Sequence, residues 1–165
     1  MSLTKVDLAW MAGFVDGEGC ISIAKDKSEG GRIFSVVARV SNNNLEALQF
    51  IHQWFGGYIR AESNGNGLPP TFSLALKSRK GARFLRAIQP YLHVKSEHAR
   101  IALELQDRIE NTPPNYISHY GRKPFGRLPE EEMQERRVLC DQMTALNQRN
   151  GKGKRALIAT ISEAK

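Results

Sequence analysis

Two carboxylates, Asp16 and Glu18, stand between glycines at the end of the stretch Leu8 to Gly19, LAWMAGFVDGEG. Carboxylates so placed can hold a hard divalent cation. Such a cation activates water, neutralises charge on a phosphorane and helps the leaving oxygen depart, which is what phosphodiester hydrolysis needs. The residues by themselves leave the matter open, because an Asp-x-Glu pair at a helix end is most often a solvated cap. Other metal ligands are sparse. His93 and His98 are five apart and miss the i, i+4 spacing of a helical pair. Cys20 and Cys140 are the only cysteines, so no disulfide framework is expected, a reducing compartment fits, and both read as small buried hydrophobes.

The element that carries the acids is an amphipathic helix. Thr4-Lys5-Val6-Asp7 is a capping box that starts it, and Leu8, Met11 and Val15 repeat at core-facing spacing. Ala9, Gly13 and Gly17 lie four apart on another face, where small residues admit a second helix at close range. A glycine inside a helix costs about 1 kcal/mol relative to alanine, so Gly13 implies a compensating contact. Gly17 and Gly19 read as the exit from the helix. Glu18 then falls at the negative end of the helix dipole, a poor place for an anion unless a cation joins it.

The chain has 165 residues and a net charge of +7, which point to one domain and a polyanionic partner, nucleic acid before an anionic membrane. No apolar run approaches the ~20 residues that span a bilayer. The first residues lack a signal-peptide layout, so an intracellular place and no membrane partner are expected.

Beyond the first helix, residues 20–26 and 33–41 alternate as two strands across the turn Ser28-Glu29-Gly30-Gly31. Asn42 to Asn44 caps a second helix that Gly56-Gly57 ends. Strands follow at 58–63 and 71–77 around Asn64-Gly65-Asn66-Gly67, then helices at 78–91 and 96–110. The expected fold is α+β, an α-β-β-α-β-β-α core over residues 1–111 with a four-stranded antiparallel sheet and helices on one face. Residues 112–137 form an extension and 138–165 hold C-terminal helices and a basic loop, in one domain spanning 1–165. A helix start is expected at Pro129-Glu130-Glu131-Glu132 and a short closing helix at 156–165. The aromatic and basic stretch 115–127 reads either as an extension tucked over the core or as an added contact with the DNA backbone.

The other face of the sheet would be open. Its polar register holds Ser22, Ala24 and Asp26, then Ser35, Val37 and Arg39, then Tyr58, Arg60 and Glu62, then Thr71, Ser73 and Lys77. An antiparallel sheet commonly wets one face, so this is either ordinary solvated surface or a β-ribbon that reads base edges in the major groove. In the second case Arg39 and Arg60 would bond guanine, and Asp26 and Glu62 would accept from cytosine. Arg32 joins these DNA-binding candidates. So do Lys152, Lys154 and Arg155, in a basic loop suited to phosphate.

MAGFVDGEG, residues 11–19, resembles the motif of the LAGLIDADG homing endonucleases. RVSNNNLEAL, GGYIR, IQPYLHVK and CDQMTALNQ resemble further blocks of the family's single-motif branch, and the likeness covers most of the chain outside roughly 112–137. The resemblance implies a saddle-shaped sheet and a homodimer that cuts a long pseudo-palindromic site in double-stranded DNA across the minor groove, leaving staggered ends. It also implies association with a mobile intron or intein in a bacterial, phage or organellar genome. The cofactor implied is Mg²⁺, with Mn²⁺ or Ca²⁺ as substitutes. Glu18 and the Gly17 carbonyl take the place of metal ligands, and Glu18, Asn42 and Lys95 of catalytic groups. Ala9, Ala12, Gly13, Asp16 and Gly17 take that of the dimer interface, Asp16 in a structural part. Two positions depart from the family: Asn42 where Gln is common, and Glu46 where relatives can carry a basic residue. A second possibility is a binding protein of the same fold without cleavage, such as a DNA-binding regulator or an intron RNA maturase, against which the acid at position 18 weighs. A third is a basic structural domain with no chemistry.

Overall fold

A computed structural model of the chain describes residues 2–26, 33–63, 69–112 and 128–148. The element order is α1 (Lys5–Glu18), β1 (Gly19–Asp26), β2 (Ile33–Asn42), α2 (Leu45–Phe55), β3 (Tyr58–Glu62), β4 (Thr71–Lys77), α3 (Ser78–Ile88), α4 (Ser96–Glu110) and α5 (Glu130–Gln148). A single 3-10 turn, Gln89–Tyr91, follows α3 where Pro90 ends regular helix pairing. The fold is the expected α+β one.

All four strands form one antiparallel sheet in the order β1-β2-β4-β3. The two sequential hairpins are joined by β2 and β4, which leaves β3 at an edge. In the register, Val37 lies opposite Ser22 on one side and Lys77 on the other, and Arg60 lies opposite Ser73. Because side chains alternate faces every residue, the polar set from all four strands shares one face. The opposite face carries Ile21, Val36, Ala38, Val40, Leu74 and Leu76, all buried. Helices supply the rest of the core through Met11, Val15, Leu48, Ile51, Phe84, Leu85, Ala102 and Leu105.

The helix signals act as their chemistry requires. Thr4 Oγ1 accepts from the Asp7 amide and the Asp7 carboxylate accepts from the Thr4 amide, which closes the capping box. Asn44 caps α2 by accepting from the Ala47 amide. Gly56 and Gly57 take φ of 71° and 104°, left-handed values that leave a side chain strained, and so turn the chain from α2 into β3. Gly17 and Gly19 do not use that freedom. Gly19 is required for space instead, since a Cβ there would lie 2.6 Å from the Val15 carbonyl oxygen.

α5 begins at Glu130, within the helix start expected at Pro129-Glu130-Glu131-Glu132, and it is the one C-terminal helix among the described residues. It is tied to the sheet by the Asn147 side chain, which donates to the Ile21 carbonyl at 3.1 Å. It is tied to α4 by Arg136. That guanidinium is buried and donates to Glu132 at 2.8 Å and to the Arg108 carbonyl and Thr112 hydroxyl. The closing helix expected at 156–165 and the stretch 115–127 lie outside the described residues.

Candidate nucleic-acid and metal site

α1 runs directly into β1, so Glu18 is held at the junction between the first helix and the sheet. Glu18 and Gly17 are both exposed there. Gly19 pairs with Val40, and therefore Ser41 and Asn42 of β2 extend past the start of β1 at this same end of the sheet.

The carboxylate of Asp16 is turned inward. It accepts the amide N–H groups of His93, Val94 and Lys95 at 2.8, 3.1 and 2.8 Å. Burial pushes its pKa up, but the three amides and the nearby Lys95 charge more than reverse this, and the acid is held below its ordinary range. The Lys95 ammonium in turn donates to the Asp16 carbonyl. α1 has no basic residue in its last turn, so Lys95 is the cation at the negative end of its dipole.

Asp16 and Ala12 therefore differ from the expected interface set. Asp16 is occupied within its own chain, by the turn before α4. Ala12 is fully buried in the core, because it stands four residues after Leu8 and next to Met11 on the inward side of α1. Ala9, Gly13 and Gly17 are exposed, and among the described residues no heavy atom beyond the helix's own nearby backbone lies within 4 Å of a Cβ built on Gly13 or Gly17. Val6 and Trp10 are exposed beside them, 78% and 43%. Together these leave an apolar, small-residue stripe along α1.

Lys95 and Asn42 are both engaged locally. Lys95 is half-buried on the Asp16 carbonyl. Asn42 Oδ1 accepts the Asn44 amide at 2.9 Å, which makes it part of the turn into α2. Among the described residues no group of three or more His, Cys, Asp or Glu could hold a metal ion. Among the described residues at this end of the sheet, the exposed Glu18 carboxylate and the Gly17 carbonyl are what one chain offers a hard cation. That is the right donor chemistry for Mg²⁺ or Ca²⁺ and too few donors for a closed cage.

The open face is built from the expected register with two changes. Val37 and Ser73 are buried, 5% and 2% exposed. Both are short side chains on the two inner strands, with a paired strand on either side. Ser73 Oγ accepts from the Ser41 hydroxyl at 3.3 Å. Cys20 faces outward opposite Arg39 and is exposed, contrary to its expected burial. Cys140 is half-buried, and burial pushes its thiol pKa up. Arg39, Tyr58, Arg60 and Lys77 wall a groove of about 470 Å³ whose floor is Gly57, Ser73 and Ala75. Lys80, from the first turn of α3, completes the wall. It was missed because a helix residue is not read with the strands, although its place three residues after Lys77 was a usable signal. Arg60 is paired with Glu62 at 2.8 Å. Arg32, Lys152, Lys154 and Arg155 lie outside the described residues, as do the other residues of the basic loop.

Residues 11–91 match the family model described as LAGLIDADG endonuclease. That region, from the motif through the turn after α3, belongs to the LAGLIDADG endonuclease family, and the chain around it carries that family's fold. Among solved structures, the chain is similar to the homing endonuclease I-CvuI in complex with its target in the presence of Ca, with 22% identity and a TM-score of 0.63. This match covers 86% of this chain and 82% of that one. It is similar to an archaeal intron-encoded homing endonuclease, I-Vdi141I, complexed with DNA, at 19% identity and a TM-score of 0.64 over 86% and 84% of the two chains. It is also similar to I-GzeII in complex with a DNA target, at 19% identity and a TM-score of 0.62, where 86% of this chain covers 45% of that one. No curated protein sequence matches the chain significantly. No helix among the described residues is long and apolar enough to cross a membrane.

Proposed function

We propose that the chain is a sequence-specific DNA endonuclease that works as a homodimer. The observation that carries the reading is the placement of Glu18, an exposed carboxylate fixed at the sheet's end beside an uncovered stripe of Ala9, Gly13 and Gly17. Two copies packed along that stripe would bring two Glu18 carboxylates to one axis, one for each strand of a duplex. The comparison with I-GzeII supports the pairing, because one such unit accounts for less than half of that longer chain.

The sheet is suited to the duplex in length and charge. β2 has ten residues and spans ~34 Å, about one turn of B-DNA. Two such sheets about a two-fold axis would follow roughly 20 bp of a pseudo-palindromic site. The cations of the groove supply the attraction to phosphate, and the alternating polar set supplies donors and acceptors for base edges.

Glu18 and the Gly17 carbonyl would hold the divalent cation together with waters, phosphate oxygens and the partner copy. When bound, the cation supplies water activation and charge neutralisation at the phosphate. Asp16 holds the turn that carries Lys95 against the end of α1, and so fixes the positive charge next to Glu18. I-CvuI solved with Ca and with Mg supports a divalent ion of this kind. Selection of cleaved sites from a random DNA library, with Mg²⁺ and with EDTA, tests the reading. A two-fold symmetric site cut only with metal is expected, and absence of any selected cleavage overturns it. Asn42 in its turn and Glu46 favour a second reading, binding without cleavage; selective binding with no nicking in Mg²⁺ or Mn²⁺ would establish it.

A further inference from the structure

We propose that Arg60 and Glu62 form one base-reading unit, in which Arg60 selects a guanine in each half of the target and Glu62 holds its guanidinium in place. The inference rests on the DNA-reading function above and assigns the two residues differently from two independent base contacts.

A guanidinium has two usable forks. One is the side edge, formed by Nε–H and an Nη2–H; the other is the end, formed by one N–H each of Nη1 and Nη2. Glu62 Oε1 accepts from Arg60 Nε at 3.0 Å and from Nη2 at 2.8 Å. The carboxylate thus takes the side edge and leaves the end fork. Two parallel N–H groups in that fork match O6 and N7 of guanine in the major groove. Arg60 and Glu62 are two apart on β3, so they share the open face, and β3 is the sheet's edge strand. Directly across from Arg60 on β4 is Ser73, and the next residue on that face is Ala75. Both are short side chains that line the groove beside Arg60.

Two physical points favour a buttress over a second reader. A lone carboxylate beside a polyanionic duplex is repelled, and Glu62 escapes this by neutralising Arg60 at close range. A long exposed side chain also loses rotamer freedom on binding, and holding it beforehand reduces that cost. Arg39, across the groove, has no side-chain partner among the described residues, so it lacks this preorganisation. Arg60 is therefore the more discriminating of the two arginines.

The experiment is binding-site selection from a randomised duplex library in Ca²⁺, with the chain and its Arg60→Ala and Glu62→Gln variants. Both side chains are surface groups, and thermal melting confirms that the variants fold. The wild-type chain should prefer guanine at one position of each half-site by about ten-fold or more. Arg60→Ala should erase the preference at that position alone. Glu62→Gln should keep guanine there and weaken its preference several-fold, with other positions unaltered. Guanine retained at full strength in Arg60→Ala overturns the unit, and so does a changed preferred base at a neighbouring position in Glu62→Gln, which would make Glu62 itself a reader. A wild-type chain that selects no sequence overturns the DNA-reading function instead, so the two failures are distinguishable.

Discussion

Asp16 and Lys95 hold each other through both backbone and side chain. The Asp16 carboxylate accepts the Lys95 amide at 2.8 Å while the Lys95 ammonium donates to the Asp16 carbonyl. The motif helix and a turn 79 residues further along the chain are thereby locked together beside Glu18. Asp16→Asn removes the charge and presents an NH₂ where an amide N–H now donates. Hydrogen bonds to a charged acceptor contribute roughly 1.5–3 kcal/mol each, so a loss of about 2 kcal/mol is expected in urea unfolding. Cleavage should fall more than DNA binding does, and equal loss of both would mean that the clasp serves folding only.

The same acid gives a pH dependence of definite sign. Its folded pKa lies below the unfolded value of about 3.9. Its contribution to stability is therefore fully present above that value and is lost as pH falls through the folded pKa. Acid unfolding of the wild-type chain followed by circular dichroism should be steeper below pH ~4 than that of Asp16→Asn. Superimposable curves would contradict this.

Glu18→Gln keeps the shape of the tip and removes its charge. Loss of groups that merely orient a metal ligand costs ~10–100-fold in affinity or activity, so loss of a ligand should cost at least roughly 100-fold in cleavage. DNA binding measured in the absence of divalent metal should hold or rise slightly, because one repulsive charge is gone. A variant that nicks target DNA at the wild-type rate removes Glu18 from the chemistry.

Gly13→Leu offers a clean test of the dimer. A Cβ at Gly13 meets no described atom within 4 Å beyond its own helix backbone, so the site has room for a side chain within the protomer. Leucine should even favour the isolated helix by several tenths of a kcal/mol. The variant should sediment as a folded monomer and lose double-strand cleavage, and an intact dimer in ultracentrifugation would show that α1 stripes do not meet.

The strands and helices were legible because they are local. Alternation of Ser22, Ala24 and Asp26 with apolar neighbours fixes a face by geometry, and the register of all four strands agrees with it. Cys20 continues that same alternation, and its exposure was readable by extending the period back by two residues. Ala12 was readable in the same way, since Leu8, Met11, Ala12 and Val15 complete one helical face. The β2–β4 pairing and the Asp16–Lys95 clasp join segments far apart in sequence, and no local pattern marks such partners. The Arg60–Glu62 pair depends on rotamers, which spacing alone leaves free.

The α4–α5 junction supplies the last expectation, about stability and apart from the chemistry. Arg136 is 6% exposed, with Glu132 as its acidic partner at 2.8 Å, and Glu132 also accepts from Arg108. Removing the carboxylate with Glu132→Ala leaves a buried guanidinium without its counter-charge, which costs roughly 3–5 kcal/mol. Arg136→Met fills much of the same volume without a charge and should cost clearly less. Glu104→Ala breaks an exposed pair with Arg100 on α4 and should change stability by under ~1 kcal/mol. Chemical denaturation of the three variants should give that order, and a Glu132→Ala variant as stable as Glu104→Ala would mean that solvent or another carboxylate, such as Glu135, takes over the buried cation.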